Sequence, residues 1–499
     1  MELLVALDAG TSSVRAIAFD AHGNVVDAAA REVPVKATTA GWVEQDSELL
    51  AGGSIRVLAE LAERLGEKAG DVAAIGVTNQ RETVISWDRR DGTLLYPAIS
   101  WQDTRGAPFC AEVAQGGHAE QIRLRTGLVV NPYFSATKMA WLGRQGIVTT
   151  PGHQVHATLD AYLLWRLTGG RADSTFVSDL SNASRTMLLD IEALTFDPEL
   201  AELLGVDLRA LPELVSTAGL AYPVAPGLPF AGVPVAAMIG DQQASLFGQG
   251  CIVPATAKNT YGTGNFLLAN SGSARSRPES GVLESIAWRI RDESPTYCLE
   301  GSVFTTGAVM RWMRDGLGIL PGYEEIEAVL QRTRTSDGVV FIPSFQGLGA
   351  PHWITGVKGG VFGISQSTTA DQLIRAAVEG VTLRVEEVAE AMEAAIGSRL
   401  GFLMVDGGMT TSESLCQIQA DQLQLPVRRS GTPEATALGA ALMAGLSVGL
   451  YPALEDVPFP ADAGEFTPRG SASAAGSRRR LYRRYLGRLA PQTLGHEGD

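Results

Sequence analysis

A polar turn held between two extended apolar runs occurs twice in this chain, and no other feature constrains the fold as strongly. The first copy is Asp8-Ala9-Gly10-Thr11-Ser12-Ser13, between the apolar run 3–7 and a second extended run over 14–19. The second is Gly262-Thr263-Gly264, inside the extended stretch 258–269. Each half then closes its set with an apolar strand running into an acidic turn, 233–239 into Gly240-Asp241 and 402–405 into Asp406-Gly407-Gly408. A repeat this long is a domain duplication rather than a solenoid, and it predicts two similar α/β domains facing one cleft. With 499 residues, the chain also exceeds the size at which single cores stop growing. Gly, Pro and small residues cluster at 248–256, so the domains are expected to be 1–250 and 251–499.

The first turn is suited to phosphate. Gly10 permits a tight turn and close ligand approach, while Thr11, Ser12 and Ser13 offer hydroxyls and successive N–H groups that can close as an anion-binding nest. Asp8, just past an apolar strand, is placed for hydrated Mg2+, which keeps most of its waters and takes one or two carboxylates besides substrate phosphates. An ordinary Gly-Ser hairpin with a capping Asp is the competing reading. Beyond it, the turn Ala21-His22-Gly23-Asn24 leads to a third strand over 25–33, which makes a three-strand meander. Asp46 caps an amphipathic helix over 47–68, with Leu50, Ile55, Leu58, Leu61 and Leu65 near helical spacing, and a buried strand follows over 72–78. In the second half, strands are expected over 283–290 and 297–303 and a helix over 304–313.

Composition removes several function classes. A formal charge of −15 argues against a nucleic-acid binder, which needs a basic face to displace counterions. Cys110, Cys251, Cys298 and Cys416 are scattered without CxxC pairs or metal-ligand spacing, so a reducing, cytoplasmic setting is expected. No secretory signal is expected, because the first strand begins without a basic n-region or cleavage site. The uncharged run 435–451 approaches the shortest length that spans a bilayer. It is expected instead to be a helix buried between a sheet and another helix, with small residues allowing close approach and Pro433-Glu434 as a soluble helix start.

A cleft between two domains suits phosphoryl transfer, because closing it excludes water. The chain has neither a GxxxxGKS/T loop nor an HRD and DFG pair, so phosphate must be held by the turns, through Thr11, Ser12, Ser13 and Thr263. Transfer then needs alignment, charge neutralisation and a base for the attacking hydroxyl. Asp241, at the end of a buried strand, is the candidate base; it can also cap a helix over 242–250, and the two roles are compatible. Asn79-Gln80-Arg81-Glu82-Thr83 is a polar burst at a strand end, where ligands gather in α/β folds. Arg81 can donate and Glu82 can accept, as vicinal hydroxyls require. Trp101, Tyr133 and Phe266 can supply apolar faces for the carbons of a small polyol, although each taken singly is more often a core residue.

These residues sit in stretches that carry a resemblance over nearly the whole chain. VALDAGTSSVRAIAFD, GWVEQD, GVTNQRET, RTGLVVNPYFSATK with Trp141, SNASRT, GDQQASLFGQ, KNTYGTGNF, GLGAP and TALGAALMAGLSVG resemble the glycerol kinases of the FGGY carbohydrate kinase family. NQRET with NPYFSATK and GDQQ marks the glycerol branch; related kinases of xylulose, ribulose or gluconate usually differ at NQRET. The resemblance implies an α/β, actin-like ATPase fold of two ribonuclease-H-like domains flanking a central cleft.

It places a glycerol site on Arg81, Glu82, Trp101, Tyr133, Asp241, Gln242 and Phe266, and a nucleotide site on Thr11, Ser12, Ser13, Arg15, Thr263, Gly307, Arg311, Gly408 and Ser412. The implied reaction, a step of glycerol catabolism, converts ATP and glycerol to ADP and sn-glycerol 3-phosphate. In it Asp241 is the base, Mg2+ sits by Asp8 and Asp241, and Arg15 neutralises the moving phosphoryl group. A homodimer or tetramer is implied as well. The departures from the family pattern fall on the nucleotide side: Arg311 where many relatives have Gln, Ser412 where they often have Asn, and 354–358 near Trp353.

Two alternatives remain open: a kinase of the same fold for erythritol or xylulose, and an actin-like ATPase without a small acceptor. The second leaves Arg81, Glu82 and Asp241 without a shared purpose. At the other end of the chain, 478–489 reads as a basic helix with Leu481, Tyr485 and Leu489 on one face. It is expected to dock on the second domain with its arginines solvated rather than on a membrane surface, with 492–499 frayed.

Overall fold

The computed structural model describes residues 2–38, 40–147, 150, 152–279, 281–354 and 356–491. The expected meander opens the fold: Leu3–Ala9, Ser13–Asp20 and Val25–Glu32 pair antiparallel in sequence. Leu3–Ala9 then pairs parallel with Val72–Asn79, and that strand parallel with Pro234–Gly240. Strands of this kind are apolar throughout because both faces of the sheet are covered. On one face lies the helix Ser47–Leu65, capped by Asp46, whose carboxylate accepts from the N–H groups of Glu48 and Leu49 at 2.8 and 3.2 Å. Such a cap stabilises a helix by about 1 kcal/mol. The helix stops at Gly66, short of the expected 68, and a 3-10 segment Gly66–Asp71 leads into the next strand.

The second sheet repeats this plan. Ala257–Tyr261, Asn265–Gly272 and Thr296–Val303 are the antiparallel set, with Leu283–Trp288 added at the edge; Leu403–Asp406 joins Ala257–Tyr261 in parallel, and Val427–Arg429 joins Leu403–Asp406 in parallel. The duplication is therefore present, with one correction to its internal match. Leu403–Asp406 is the counterpart of Val72–Asn79, and Pro234–Gly240 is matched by Val427–Arg429. The expected helix over 304–313 is Gly307–Asp315.

The uncharged run forms the helix Ala435–Val448, and it lies on the first sheet, against Leu3–Ala9, Val72–Asn79 and Pro234–Gly240, beside the helix Asp241–Gly248. Glycines allow these contacts. A Cβ on Gly76 would stand 2.0 Å from the Ala440 carbonyl oxygen, one on Gly248 2.0 Å from that of Ala435, and one on Gly439 1.9 Å from that of Ala244. Backbone meets backbone at all three points. One apolar cluster joins this helix pair to both sheets through Leu4, Ala74, Leu268 and Met404. Among the described residues no helix is long and apolar enough to cross a membrane.

The basic tail is the helix Ala472–Leu489, docked on the second half through Tyr482 and Leu486, which pack with Ile342 and Leu383, and through Tyr485 stacked on Phe362 at 4.6 Å. Its arginines are less solvated than expected. Arg479 pairs with Glu386 and, at 2.9 Å, with Glu390; Arg483 also reaches Glu390; and Arg478 donates to Gln422 at 2.9 Å. Residues 492–499, and Thr355 within 354–358, lie outside the described residues.

Candidate active site

The strand Leu3–Ala9 delivers the first turn, which closes through a 3.0 Å bond from the Gly10 N–H to the Ser13 carbonyl. Ser12 is exposed at its tip. Thr11 is held from two sides: its carbonyl accepts from the Gln45 amide at 2.7 Å, and its hydroxyl accepts from the Trp101 indole N–H at 2.9 Å. Gln45 in turn accepts from Gln80 at 2.8 Å, which ties the turn to the polar burst after Val72–Asn79. Arg15 leaves the next strand and is clamped between Asp8 Oδ2 and Glu434 Oε2, each at 2.6 Å. Burial raises the Asp8 pKa against the pull of Arg15.

Asp241 occupies the first turn of Asp241–Gly248, and its position corrects one expectation: Gly240 is the cap, and the carboxylate of Asp241 accepts from its neighbour Gln242's N–H, at 2.7 Å. The side chain is 27% exposed on its cleft side and stands 3.2 Å from Arg81 Nε. Burial pushes its pKa up to about 6, opposed by Arg81 and assisted by Glu82 and Asp8. Such a carboxylate is ionised at neutral pH yet basic enough to take a proton from a hydroxyl in the transition state.

Behind Asp241 runs a buried line of alternating charge that the sequence reading did not see. Arg81 Nη1 reaches Glu300 Oε2 at 2.6 Å, Glu300 Oε1 accepts from Arg185 Nη2 at 3.0 Å, and Arg185 Nε reaches Glu82 Oε1 at 2.7 Å. Glu82 itself is buried in a left-handed backbone conformation, φ +62°, a conformation that non-glycine residues keep only where surrounding contacts hold them. Arg185 also lies over the rings of Tyr133 and Phe134, at 5.7 and 5.2 Å. Burial pushes the Tyr133 phenol far above its usual range, so it stays protonated and can donate.

The aromatic residues form a row. Tyr133 meets Trp101 edge-on at 5.7 Å, and Trp101 meets Phe266 at 6.4 Å, with Phe266 supplied by the second sheet. Arg81, Glu82, Trp101, Tyr133, Asp241 and Phe266 are thus brought together. Gln242 is oriented by Lys258, a buried residue not anticipated from sequence, whose Nζ donates to Gln242 Oε1 at 2.5 Å and to Thr260 at 3.1 Å. Burial lowers the Lys258 pKa.

Five residues expected on the nucleotide side line one cavity of about 300 Å³: Thr263, Gly307, Arg311, Gly408 and Ser412. Gly307 must lack a side chain, because a Cβ there would lie 2.6 Å from the Gly262 carbonyl oxygen. Arg311 is exposed at the rim. The hydroxyl of Ser412 is engaged already: it caps Glu413–Leu423 through the Leu415 N–H at 3.1 Å and donates to Glu327 at 2.6 Å. Among the described residues no three His, Cys, Asp or Glu side chains gather as a closed metal cage. Asp8 and Asp241, two carboxylates beside the phosphate turn, fit Mg2+, which completes its shell with water and phosphate oxygens.

Known proteins agree with this architecture. The model of the N-terminal domain of the FGGY family of carbohydrate kinases matches residues 3–248, and that of the C-terminal domain matches residues 257–448. A glycerol kinase of Koribacter versatilis is 40% identical over 491 residues, 97% of this chain and 98% of that protein. Glycerol kinase 2 of Thermotoga maritima is 42% identical and covers 92% of each chain. Among solved structures, Plasmodium falciparum glycerol kinase with ADP superimposes with a TM-score of 0.92 at 29% identity, covering 98% of each chain. A xylulose kinase of Brucella ovis does so with a TM-score of 0.87 at 26% identity, covering 99% of each. The chain belongs to the FGGY family of carbohydrate kinases and has its two-domain actin-like ATPase fold.

Proposed function

We propose that this protein is an ATP-dependent glycerol kinase that forms sn-glycerol 3-phosphate and ADP. The observation that carries the reading is the pairing of two chemistries in one cleft: the Arg81, Glu82 and Asp241 cluster faces an aromatic row, and Trp101 of that row is bonded to the phosphate turn at Thr11. Trp101, Tyr133 and Phe266 take the C–H surface of a three-carbon polyol. Arg81 donates to its hydroxyl oxygens, Glu82 accepts from its hydroxyls, and Gln242, its amide oxygen occupied by Lys258, offers its NH2.

Asp241 accepts the proton of the attacking terminal hydroxyl. Thr11, Ser12, Ser13 and Thr263 cradle the phosphates, while Gly307, Arg311, Gly408 and Ser412 border the remainder of the nucleotide. Arg15 shifts from Asp8 and Glu434 toward the transferring group as substrate arrives. Asp8 and Asp241 would hold Mg2+ with its waters, and the ion would supply neutralisation of phosphate charge. The domains divide at 1–250 and 251–499, with Ala435–Val448 packed back across the divide. Four free, buried cysteines support a reducing, cytoplasmic setting, and a homodimer or tetramer completes the reading.

The test is ADP release from ATP and Mg2+ with glycerol, xylulose, erythritol or no acceptor. Glycerol-dependent turnover supports the reading. Turnover with xylulose or erythritol alone replaces the acceptor and keeps the mechanism; hydrolysis indifferent to any acceptor replaces the activity with that of a bare ATPase.

A further inference from the structure

We propose that Glu300 is a positioning residue of the acceptor site: delivered from the second sheet, its carboxylate sets the forks of Arg81 and Arg185 and thereby holds Asp241 and Glu82 in register with the substrate hydroxyls. The proposal rests on the glycerol reading above. Glu300 lies on Thr296–Val303, and its side chain, like that of Arg185, is wholly buried. Each of its oxygens serves one guanidinium, Oε2 taking Arg81 and Oε1 taking Arg185. The other donors of Arg185 go to Glu82 and to Ser285 Oγ at 2.8 Å, and Arg81 adds Gln243 Oε1 at 3.2 Å. Five charges therefore alternate from Asp241 through Arg81, Glu300 and Arg185 to Glu82, and the two ends are the groups that face the substrate.

A buried charge is expensive unless it is paired, and removing one partner of such a set leaves the others uncompensated. Without Glu300 the two guanidiniums repel each other, and the carboxylate left at contact distance from Arg81 is Asp241, with the charge of Glu82 also acting on it. Arg81 would close on the base and cover the oxygen that must take the proton. Burial alone would raise the Glu300 pKa, but Arg185 and Arg81 hold it down to about 2, so Glu300 stays charged wherever the enzyme works. Glu300 is faced by Arg81, Arg185 and Lys258, and Asp241 by Arg81, Glu82, Asp8 and Lys258. Arg81 and Arg185 come from the first half of the chain and Glu300 and Ser285 from the second, so the acceptor site is assembled only when the two halves are docked.

The experiment compares Glu300→Gln and Glu300→Asp with the wild type, reading kcat and KM for glycerol and for ATP, and thermal stability. Glu300→Gln removes the charge that restrains Arg81. We expect a roughly tenfold rise in KM for glycerol with KM for ATP within about twofold. Glu300→Asp keeps the charge and withdraws it by one methylene; it should raise KM for glycerol only several-fold, a partial rescue that a purely structural role would not give.

A Glu300→Gln enzyme with wild-type KM for glycerol overturns the proposal, as does loss of stability with KM for glycerol and KM for ATP raised equally. If Glu300→Gln does not fold, Glu300→Asp decides, and a wild-type KM for glycerol then overturns it. Wild-type turnover that ignores glycerol is a separate result, which overturns the glycerol reading itself.

Discussion

Trp101 donates its indole N–H to the hydroxyl of Thr11 at 2.9 Å, so the aromatic row is fastened to the first turn. A change at one should be felt at the other. Thr11→Val keeps the shape and strands the half-buried indole N–H, a loss of about 1 kcal/mol. KM should rise roughly five- to tenfold for glycerol as well as for ATP. Steady-state kinetics with each substrate varied in turn checks this; an effect on ATP alone would show that the bond does not couple the two sites.

In the proposed mechanism Asp241→Asn removes the base and keeps the volume. We expect kcat to fall by about 10²–10⁴ with glycerol binding changed only a few-fold. The wild-type kcat/KM should rise with pH and level off above about 6, because the active form is the ionised carboxylate and its pKa is raised to about that value. In the Asn variant that limb should vanish. A pH series on both enzymes, with glycerol affinity from calorimetry, decides the matter.

Gly439→Ala places a methyl group 1.9 Å from the Ala244 carbonyl oxygen, inside the crossing of two helices, one of which begins at Asp241. Overpacking of this kind costs about 1–3 kcal/mol and displaces backbone. The variant should melt at a lower temperature and lose turnover together. Gly70→Ala, where a Cβ meets nothing within 4 Å, should do neither.

His156 is buried with its ring bonded to Ser86 at 2.8 Å, and burial lowers its pKa from 6.5 to about 4. The unfolded chain therefore binds the proton more readily than the native one between those values, so this group subtracts stability as pH falls from 6.5 toward 4. Asp241 acts the other way, since its raised pKa lets the native state bind a proton first on acidification. His156→Gln should flatten the acid side of the stability curve relative to wild type. Chemical denaturation at pH 7, 6, 5 and 4 measures the difference in slope.

The features legible from sequence were those written in local patterns. Gly10 with three hydroxyl residues marks the turn, Asp46 before an amphipathic run marks a helix start, and the small-residue run at 435–451 marks close packing. Sheet partners were harder. Leu403–Asp406 and Pro234–Gly240 are both short apolar strands that run into an acidic residue, Asp406 and Asp241, and only parallel pairing separates their places. Glu300 lies in none of the quoted motifs, and Arg185 and Lys258, although inside SNASRT and KNTYGTGNF, escaped because charge pairing between segments far apart in sequence leaves no local pattern. Their signal was present all the same: Glu300 follows Tyr-Cys-Leu and Lys258 follows Ala-Thr-Ala inside strands, where an ionisable residue must be paired to be buried. Ser412 shows the reverse case, a residue marked by resemblance whose hydroxyl is already taken by a helix cap.

The backbone contact between Val72–Asn79 and Ala435–Val448 bears on how the protein is made. Translation delivers the first sheet and the Asp241 helix early, but the helix that covers their face toward the second sheet is not synthesised until after the last parallel pair of that sheet has been made. The apolar residues Leu4, Ala74 and Ile239 wait uncovered through most of synthesis. A chain interrupted anywhere before residue 435 would emerge as a half-built lobe with a sticky side, prey for chaperones or proteases, and not as an autonomous nucleotide-binding fragment.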